Sequence, residues 1–491
     1  MRSFNSLAVA AVSFISAFPS VTATFGGFKN SIRTVDVAIL GGGAGGTHAA
    51  IQLKDAKKTV LVIEKQDRLG GHTETYIDPS HPESPLDLGV IFWHNQDWAK
   101  RYISRLGVNY TELPPPQQGG PGAAALIFDF STGKLLTGLP EPTQEQIGTA
   151  IQTYIGLLQK YHFLARGYFL PEPVPEELLL PFGEFVTKYN LQPLVVTLFE
   201  YPGALGDILK IPTMYVLAVM GESIFRSLTG AGFVAAASHR NSDLYLAAEK
   251  ELNSSNSLLL SSEVIFSERD AKDSHPIKLF LRTPSGLRTV FAKKLLVAIP
   301  PTLSNLRPVD LSKAERQLFK KWSAVGYYTG VLRNTGIPDN MSLTNLGENT
   351  TYHLPSLPGE FTIGSANGVT VPGYKQVFYG TPLDQILSEE QAKKNIIDDI
   401  KDVQRGSEGR FPQTEPEFVV FKSHTPFNLQ VSSEEIKNGF YRKLYALQGQ
   451  RNTFWTGGAF RSQDSSMIWQ FNENEVLPAL LKSLSEGLGH L

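Results

Sequence analysis

The feature that most constrains this chain is residues 35–64, VDVAILGGGAGGTHAAIQLKDAKKTVLVIE. Residues 35–40 form an apolar run with no breaker, the pattern of a parallel strand buried on both faces. Gly41, Gly43 and Gly46 then read G-x-G-x-x-G. The first glycine permits a tight turn, the second lets the backbone approach a pyrophosphate, and the third lets the next helix pack closely on the strand. Residues 47–54 continue as a helix rich in small residues, with its N-terminal N–H groups aimed at the phosphates. Residues 59–63 form the second strand. Glu64 ends it about twenty residues past the turn, where a carboxylate can accept hydrogen bonds from a ribose. Strand, turn, helix, strand and acid in this order predict a dinucleotide-binding unit. The stretch by itself leaves open whether the ligand is FAD or a nicotinamide nucleotide.

A chain of 491 residues is too long for one ordinary core, so two domains are expected. Forty-five basic against 47 acidic residues give a net charge of −2, which gives no electrostatic reason for a nucleic-acid partner. Residues 1–23 read as a secretory signal: Arg2 supplies the positive start, residues 7–18 the apolar stretch, and Val21-Thr22-Ala23 the small-residue cleavage site. No later segment is apolar for long enough to span a bilayer. A secreted product without a membrane span is therefore expected, and Asn109, Asn253, Asn340 and Asn349, each in an N-x-[ST] sequon, are its glycan acceptors. Cysteine is absent, which removes disulfides, thiol nucleophiles, thiolate metal ligands and cysteinyl-linked cofactors.

Further along, Gly70-Gly71 forms a second backbone-exposing turn just after Arg68. Residues 114–122 (PPPQQGGPG) form a breaker-rich loop suited to a domain crossing. A hairpin is predicted over 123–139, and helices over 143–161, 182–189, 191–199, 213–220, 232–252, 311–319 and 388–402. The helix at 143–161 opens on a Thr-x-x-Gln capping signal. Strands are predicted over 258–266, 277–283, 288–292, 294–299, 327–333 and 418–422. A strand-to-helix element from residue 452 to about residue 484 closes the chain.

Three blocks resemble the FAD-dependent amine oxidase superfamily: GGGAGG through Glu64 to Gly71, LLLSSEVIFSERD through KKLLVAIPPTL, and WTGGAFRSQDSSMIWQFNENEVLPALL. The tail wording and the leader look most like the fungal β-cyclopiazonate dehydrogenase family. The resemblance implies an α/β fold, with a discontinuous Rossmann-like FAD-binding domain (residues 34–115, 230–301 and 440–491) and an inserted α+β substrate domain (116–229 and 302–439). It places Gly41, Gly43 and Gly46 on the pyrophosphate, helped by backbone at Ala44 and Gly45. Glu64 would hold the ribose beside Lys65. Arg68 would reach the phosphates or ribityl chain, and Gly70, Gly71 and His72 would lie along the flavin. Val264 would read the adenine edge, Gly457 and Gly458 would approach the pyrophosphate again, and Asp464 would bind the ribityl or phosphate region. The helix starting near Ser466 and Met467 would aim its N-terminus at the flavin's pyrimidine edge. With no cysteine, the FAD is expected to be non-covalent unless His72 is an attachment point. The tail lacks the superfamily's glycine-rich ending, and Trp469 and Phe471 are expected to bring bulk near the flavin.

The implied activity is oxidation of a small hydrophobic metabolite, such as an indole alkaloid or another secondary metabolite, by hydride transfer to flavin. The alternative is a flavoprotein isomerase acting on a polyunsaturated fatty acid or similar substrate without net redox change. Such chemistry needs chiefly apolar walls, and Phe427, Phe440, Tyr441, Tyr445 and Trp455 fall where the superfamily builds its aromatic cage. Of these, Phe427, Tyr441 and Trp455 are the candidate substrate contacts. His94 and His424 read first as structural hydrogen-bonding residues. No histidine spacing suits a metal and no G-x-S-x-G is present, so metal catalysis and hydrolysis have no basis. No catalytic residue is named.

Overall fold

The computed structural model describes residues 31–115, 124–201, 204–270, 274–364 and 371–486. The expected leader at 1–23 and most of the loop at 114–122 lie outside the described residues. Strand β1 (Ser31–Leu40) runs through the glycine turn into helix α1 (Ala44–Asp55), and the chain returns as β2 (Val60–Ile63). After a long excursion it adds β3 (Leu258–Leu259), β4 (Glu263–Glu268), β5 (Ile277–Thr283) and β6 (Gly286–Val297), and after a second one β7 (Thr453–Trp455). The sheet order is β3-β2-β1-β6-β5-β4, with β7 beside β6. The strands from β3 to β6, and β7, run parallel, while β5 and β4 form an antiparallel meander. All four residues of β2 are buried, as a strand covered on both faces requires.

Three expectations are corrected. The predicted strand over 258–266 is two strands at opposite edges of the sheet. Leu258 and Leu259 pair with β2, whereas β4 pairs with β5. Between them Ser261 takes a positive φ of 45°, and the N–H groups of Ser261 and Ser262 donate to the carbonyls of Gln66 and Glu64. The predicted pieces 288–292 and 294–299 are one strand, because β1 pairs along its length from Arg288 to Val297. The predicted helix over 232–252 begins instead as a strand, Phe233–Ala236, paired with Trp93–His94 and Tyr110–Leu113, and becomes helical only over Asp243–Ser254. The Asn241 side chain accepts from the Ala236 N–H and donates to the carbonyls of Val90 and Ile91. Tertiary pairing here overrides the helix propensity of an alanine-rich run.

A second, mostly antiparallel sheet is built from 124–135 and 327–423, with Tyr327–Arg333 between Glu417–Ser423 and Tyr374–Gly380. Helix Glu389–Gly406 lays Ala392, Ile396, Ile400 and Val403 on it. The Thr143–Gln146 capping box is present at the start of helix Gln144–Lys160. Among the described residues no helix is long and apolar enough to cross a membrane.

Just past β4, the fully buried guanidinium of Arg269 ties three elements together. It donates to Asp310 at 3.0 Å, to both oxygens of Glu315 at 2.9 and 2.7 Å, and to Thr453 of β7 at 3.3 Å. Glu315 also completes the capping box with Ser312. Burial pushes both carboxyls up, but hydrogen bonds and charge, chiefly from Arg269, outweigh it and leave both below their ordinary values of 3.8 and 4.5. Their contribution to stability is therefore complete above those values and lost as pH falls through the lower folded-state values. Arg269→Met should cost about 3 kcal/mol, chiefly by leaving the buried Glu315 carboxylate with only the Ser312 N–H and the more distant Arg451 at 3.6 Å. Denaturant unfolding at pH 7 and pH 4 should show the deficit shrinking at the lower pH.

Candidate active site

One cavity of about 1720 Å³ runs from the glycine turn to the second sheet. At its first end, Gly41, Gly43, Ala44 and Gly45 line the wall, and α1 begins at Gly43 without a side-chain cap. Its first-turn N–H groups have no acceptor within the helix, so they suit an anion. Gly43 has φ −76°, and a Cβ built there would meet only the Gly71 Cα, at 3.8 Å. That position is open because the cavity lies beside it. Gly46 differs. It does not line the cavity, and a Cβ on it would stand 1.9 Å from the Gly41 carbonyl oxygen. Its role is close packing of α1 on β1, not contact with a pyrophosphate.

Glu64 lines the cavity and is nearly buried. One carboxylate oxygen accepts from the Gly42 N–H at 2.7 Å and the other from the Gln66 N–H at 2.8 Å. The acid thus fastens the glycine turn while facing the ligand space, its lone pairs still able to accept ribose hydroxyls. Lys65, Gly70, Gly71, His72, Val264, Gly457, Gly458 and Asp464 also border the cavity. Arg68 borders it too, but its guanidinium donates to the carbonyls of Leu69, Gly71 and Thr73 and to the Glu74 carboxylate. It fixes the 69–74 loop rather than offering free donors to a phosphate.

Helix α3 is Ser465–Phe471, following helix α2 (Val195–Glu200) of the first excursion in the chain. Asp464 caps α3, accepting from the Met467 N–H at 2.8 Å, and lies 3.2 Å from His94 Nε2. Burial opposes the Asp464 charge, but His94, this hydrogen bond and Arg461 hold its pKa below the ordinary value. Ser465 and Ile468 line the cavity, whereas Ser466 and Met467 do not. The Ser466 hydroxyl accepts from the His94 N–H and its carbonyl from the Trp98 indole. Trp469 is also displaced from the expected place, packing in the core against His48, Trp93 and Tyr102. Phe471 likewise lies in the core, beside Tyr445.

At the second end the wall is aromatic. Phe427 lies there, 4.7 Å from Tyr327 and 5.6 Å from His72 between ring centroids. Tyr441 and Trp455 do not. Tyr441 donates to the Tyr215 hydroxyl inside the core, and Trp455 packs between Phe319 and Phe460. His72 and His424 stack at 4.6 Å. His72 borders the cavity, and burial, with Arg68 and Lys65 nearby, lowers its pKa to about 4. Burial, and then His72 and Arg68, lower that of His424. Both imidazoles are therefore neutral at pH 7 and present a flat, uncharged wall. Residues not anticipated from the sequence include Glu200, Tyr201, Tyr327, Phe361, Phe378 and Leu429. No local pattern marks them, because helix and strand periodicity reports which residues are buried, not which void they border.

A glycine turn, a carboxylate that clasps it and an aromatic wall share one cavity, the layout of a dinucleotide-dependent enzyme. Residues 39–106 match the NAD(P)-binding Rossmann-like domain family. The chain is 39% identical over 460 residues to the FAD-dependent oxidoreductase oblC of Cochliobolus heterostrophus, covering 93% of each chain. It is 35% identical over 458 residues to β-cyclopiazonate dehydrogenase of Aspergillus flavus, covering 91% of this chain and 93% of that one. The chain belongs to this family of FAD-dependent oxidoreductases. Its fold is similar to that of a fatty acid isomerase from P. acnes, with TM-score 0.71 and 18% identity over 90% of this chain and 98% of that one. It also resembles cyclohexylamine oxidase from Brevibacterium oxydans, with TM-score 0.59 and 17% identity over 92% and 99%.

The two glycines separate binding from folding. Gly43→Ala places a methyl in open space at an ordinary φ, so its melting temperature should match the parent while FAD affinity falls by about tenfold or more through lost close approach. Gly46→Ala should instead fail to fold or melt far lower. Thermal melts with flavin quantification check both, and a Gly43→Ala protein retaining full FAD would show that no phosphate approaches there.

Proposed function

We propose that the protein oxidises a small hydrophobic metabolite, as an oxidase or dehydrogenase of secondary metabolism. The observation that carries this reading is the continuity of the cavity from the Gly43 turn to the wall of Phe427, Tyr327, Phe361 and Phe378. Bound FAD supplies hydride acceptance. The chain's own part is to hold the cofactor and present the substrate: the backbone at Gly43–Gly45 and Gly457-Gly458 would hold the pyrophosphate, and Glu64 the ribose. The aromatic wall and the neutral His72–His424 stack orient an apolar substrate and exclude water. Passage through the secretory pathway is part of the proposal. All four sequon asparagines, Asn109, Asn253, Asn340 and Asn349, are exposed, so each is open to a glycan, and glycosidase treatment of protein from a fungal host should increase its gel mobility.

The purified protein should be yellow, and denaturation should release FAD into the supernatant because no cysteine is present. Flavin remaining with the precipitate would overturn the non-covalent reading and direct attention to His72. Anaerobic mixing with apolar metabolites, indoles among them, should bleach the flavin absorbance for a true substrate. Turnover to a product of unchanged mass with no two-electron acceptor consumed would replace oxidation by isomerisation.

A further inference from the structure

Among the carboxylates on the cavity wall, Glu200 differs from the rest. Glu64 is engaged by two backbone N–H groups, Glu74 by Arg68 and Lys422, and Asp464 by Met467 N–H and His94. Glu263 lies 3.6 Å from Arg282, and Asp67 is exposed to water. Glu200 has no hydrogen bond or ion pair with any described residue. It is only partly exposed, and it borders the cavity beside Tyr201. It is the last residue of α2, where helix carbonyls also favour a cation over an anion. Its neighbour Phe199 packs edge-on to Phe361 at 5.2 Å, and Tyr201, Phe361 and Phe378 border the same cavity as Glu200. Desolvation pushes its pKa up to about 7. An unpaired carboxyl in an apolar wall is costly, and a donor on a ligand removes that cost. Aromatic rings on the same cavity wall suit a cation better than an anion.

We propose that Glu200 is the specificity-determining residue of the chamber, receiving a hydrogen-bond-donating head group, at its strongest a protonated nitrogen, on an otherwise apolar substrate, and turning away carboxylates. This rests on the reading of the second cavity end as the substrate chamber. It favours a nitrogen-bearing metabolite and opposes a free fatty acid.

Three indoles of similar size test it by calorimetry on the isolated holoprotein at pH 8, where Glu200 is mostly ionised: tryptamine, 3-ethylindole and indole-3-propionate. Wild type should bind tryptamine about tenfold or more tighter than 3-ethylindole, the effect of one hydrogen bond to a charged group, and indole-3-propionate most weakly. Glu200→Gln should bring the three within about threefold of one another, with FAD content unchanged and a melting temperature equal or higher, since an unpaired charge is removed. Equal binding of the three by wild type, preference for the anion, binding of none, or the same preference in Glu200→Gln would each overturn the proposal. Protein isolated without FAD would instead count against the oxidoreductase reading, and the calorimetry would still score Glu200.

Discussion

The structure depends on how closely α1 approaches β1. The Gly46 Cα lies against the Gly41 carbonyl, with no room for a single carbon between them. That contact puts the uncapped end of α1 at the mouth of the turn, and the Thr47 hydroxyl locks it by donating to the Gly42 carbonyl at 2.8 Å. Glu64 holds the same turn from the end of β2 through the Gly42 N–H. The ligand-facing backbone is therefore rigid on both sides before any ligand arrives, which lowers the ordering cost of binding. Moving the helix outward by one methyl would shift the N–H groups that form the anion site, so fold and site share one constraint.

The other end of the cavity is positioned by polar ties from the second sheet to the 75–87 hairpin and its neighbours. Gln376, on the second sheet, donates to the Asp87 carbonyl at 2.6 Å, and the Asp87 carboxyl accepts from the Asn241 N–H. Tyr374 donates to Asp78 at 2.6 Å. Burial pushes the Asp87 carboxyl up to about 7, so this tie is partly protonated near neutrality and works chiefly through hydrogen bonds rather than charge. The loop carrying Val90, Ile91 and Phe92 is thereby pinned between the sheets and forms one side of the cavity. The lining carboxylates other than Glu200 and the exposed Asp67 are engaged by the protein, so Glu200 is the partly buried acid on the wall left to a ligand.

The nucleotide end was legible because its requirements are local. A tight turn, a close helix and an acid at the end of the next strand lie within thirty residues, and each imposes a residue type through backbone geometry. The same locality explains why helix Phe182–Tyr189 and strand Tyr327–Arg333 match their sequence patterns residue for residue. The aromatic wall was not legible in this way. Phe427, Tyr441 and Trp455 lie within thirty residues of one another and share the same chemistry, yet only Phe427 faces the void. Which aromatic borders the cavity and which meets core depends on side chains such as Tyr215 and Phe319, brought in from elsewhere in the chain. Glu200 is the extreme case. In sequence it is an acid ending a short apolar helix; only the folded chain brings it to the cavity that Phe361 and Phe378 also border. The sequence by itself determined the dinucleotide unit, because backbone sterics act over a few residues. The tertiary structure alone decided the aromatic end of the cavity, because a cavity wall is a property of residues that meet only after the two sheets have packed.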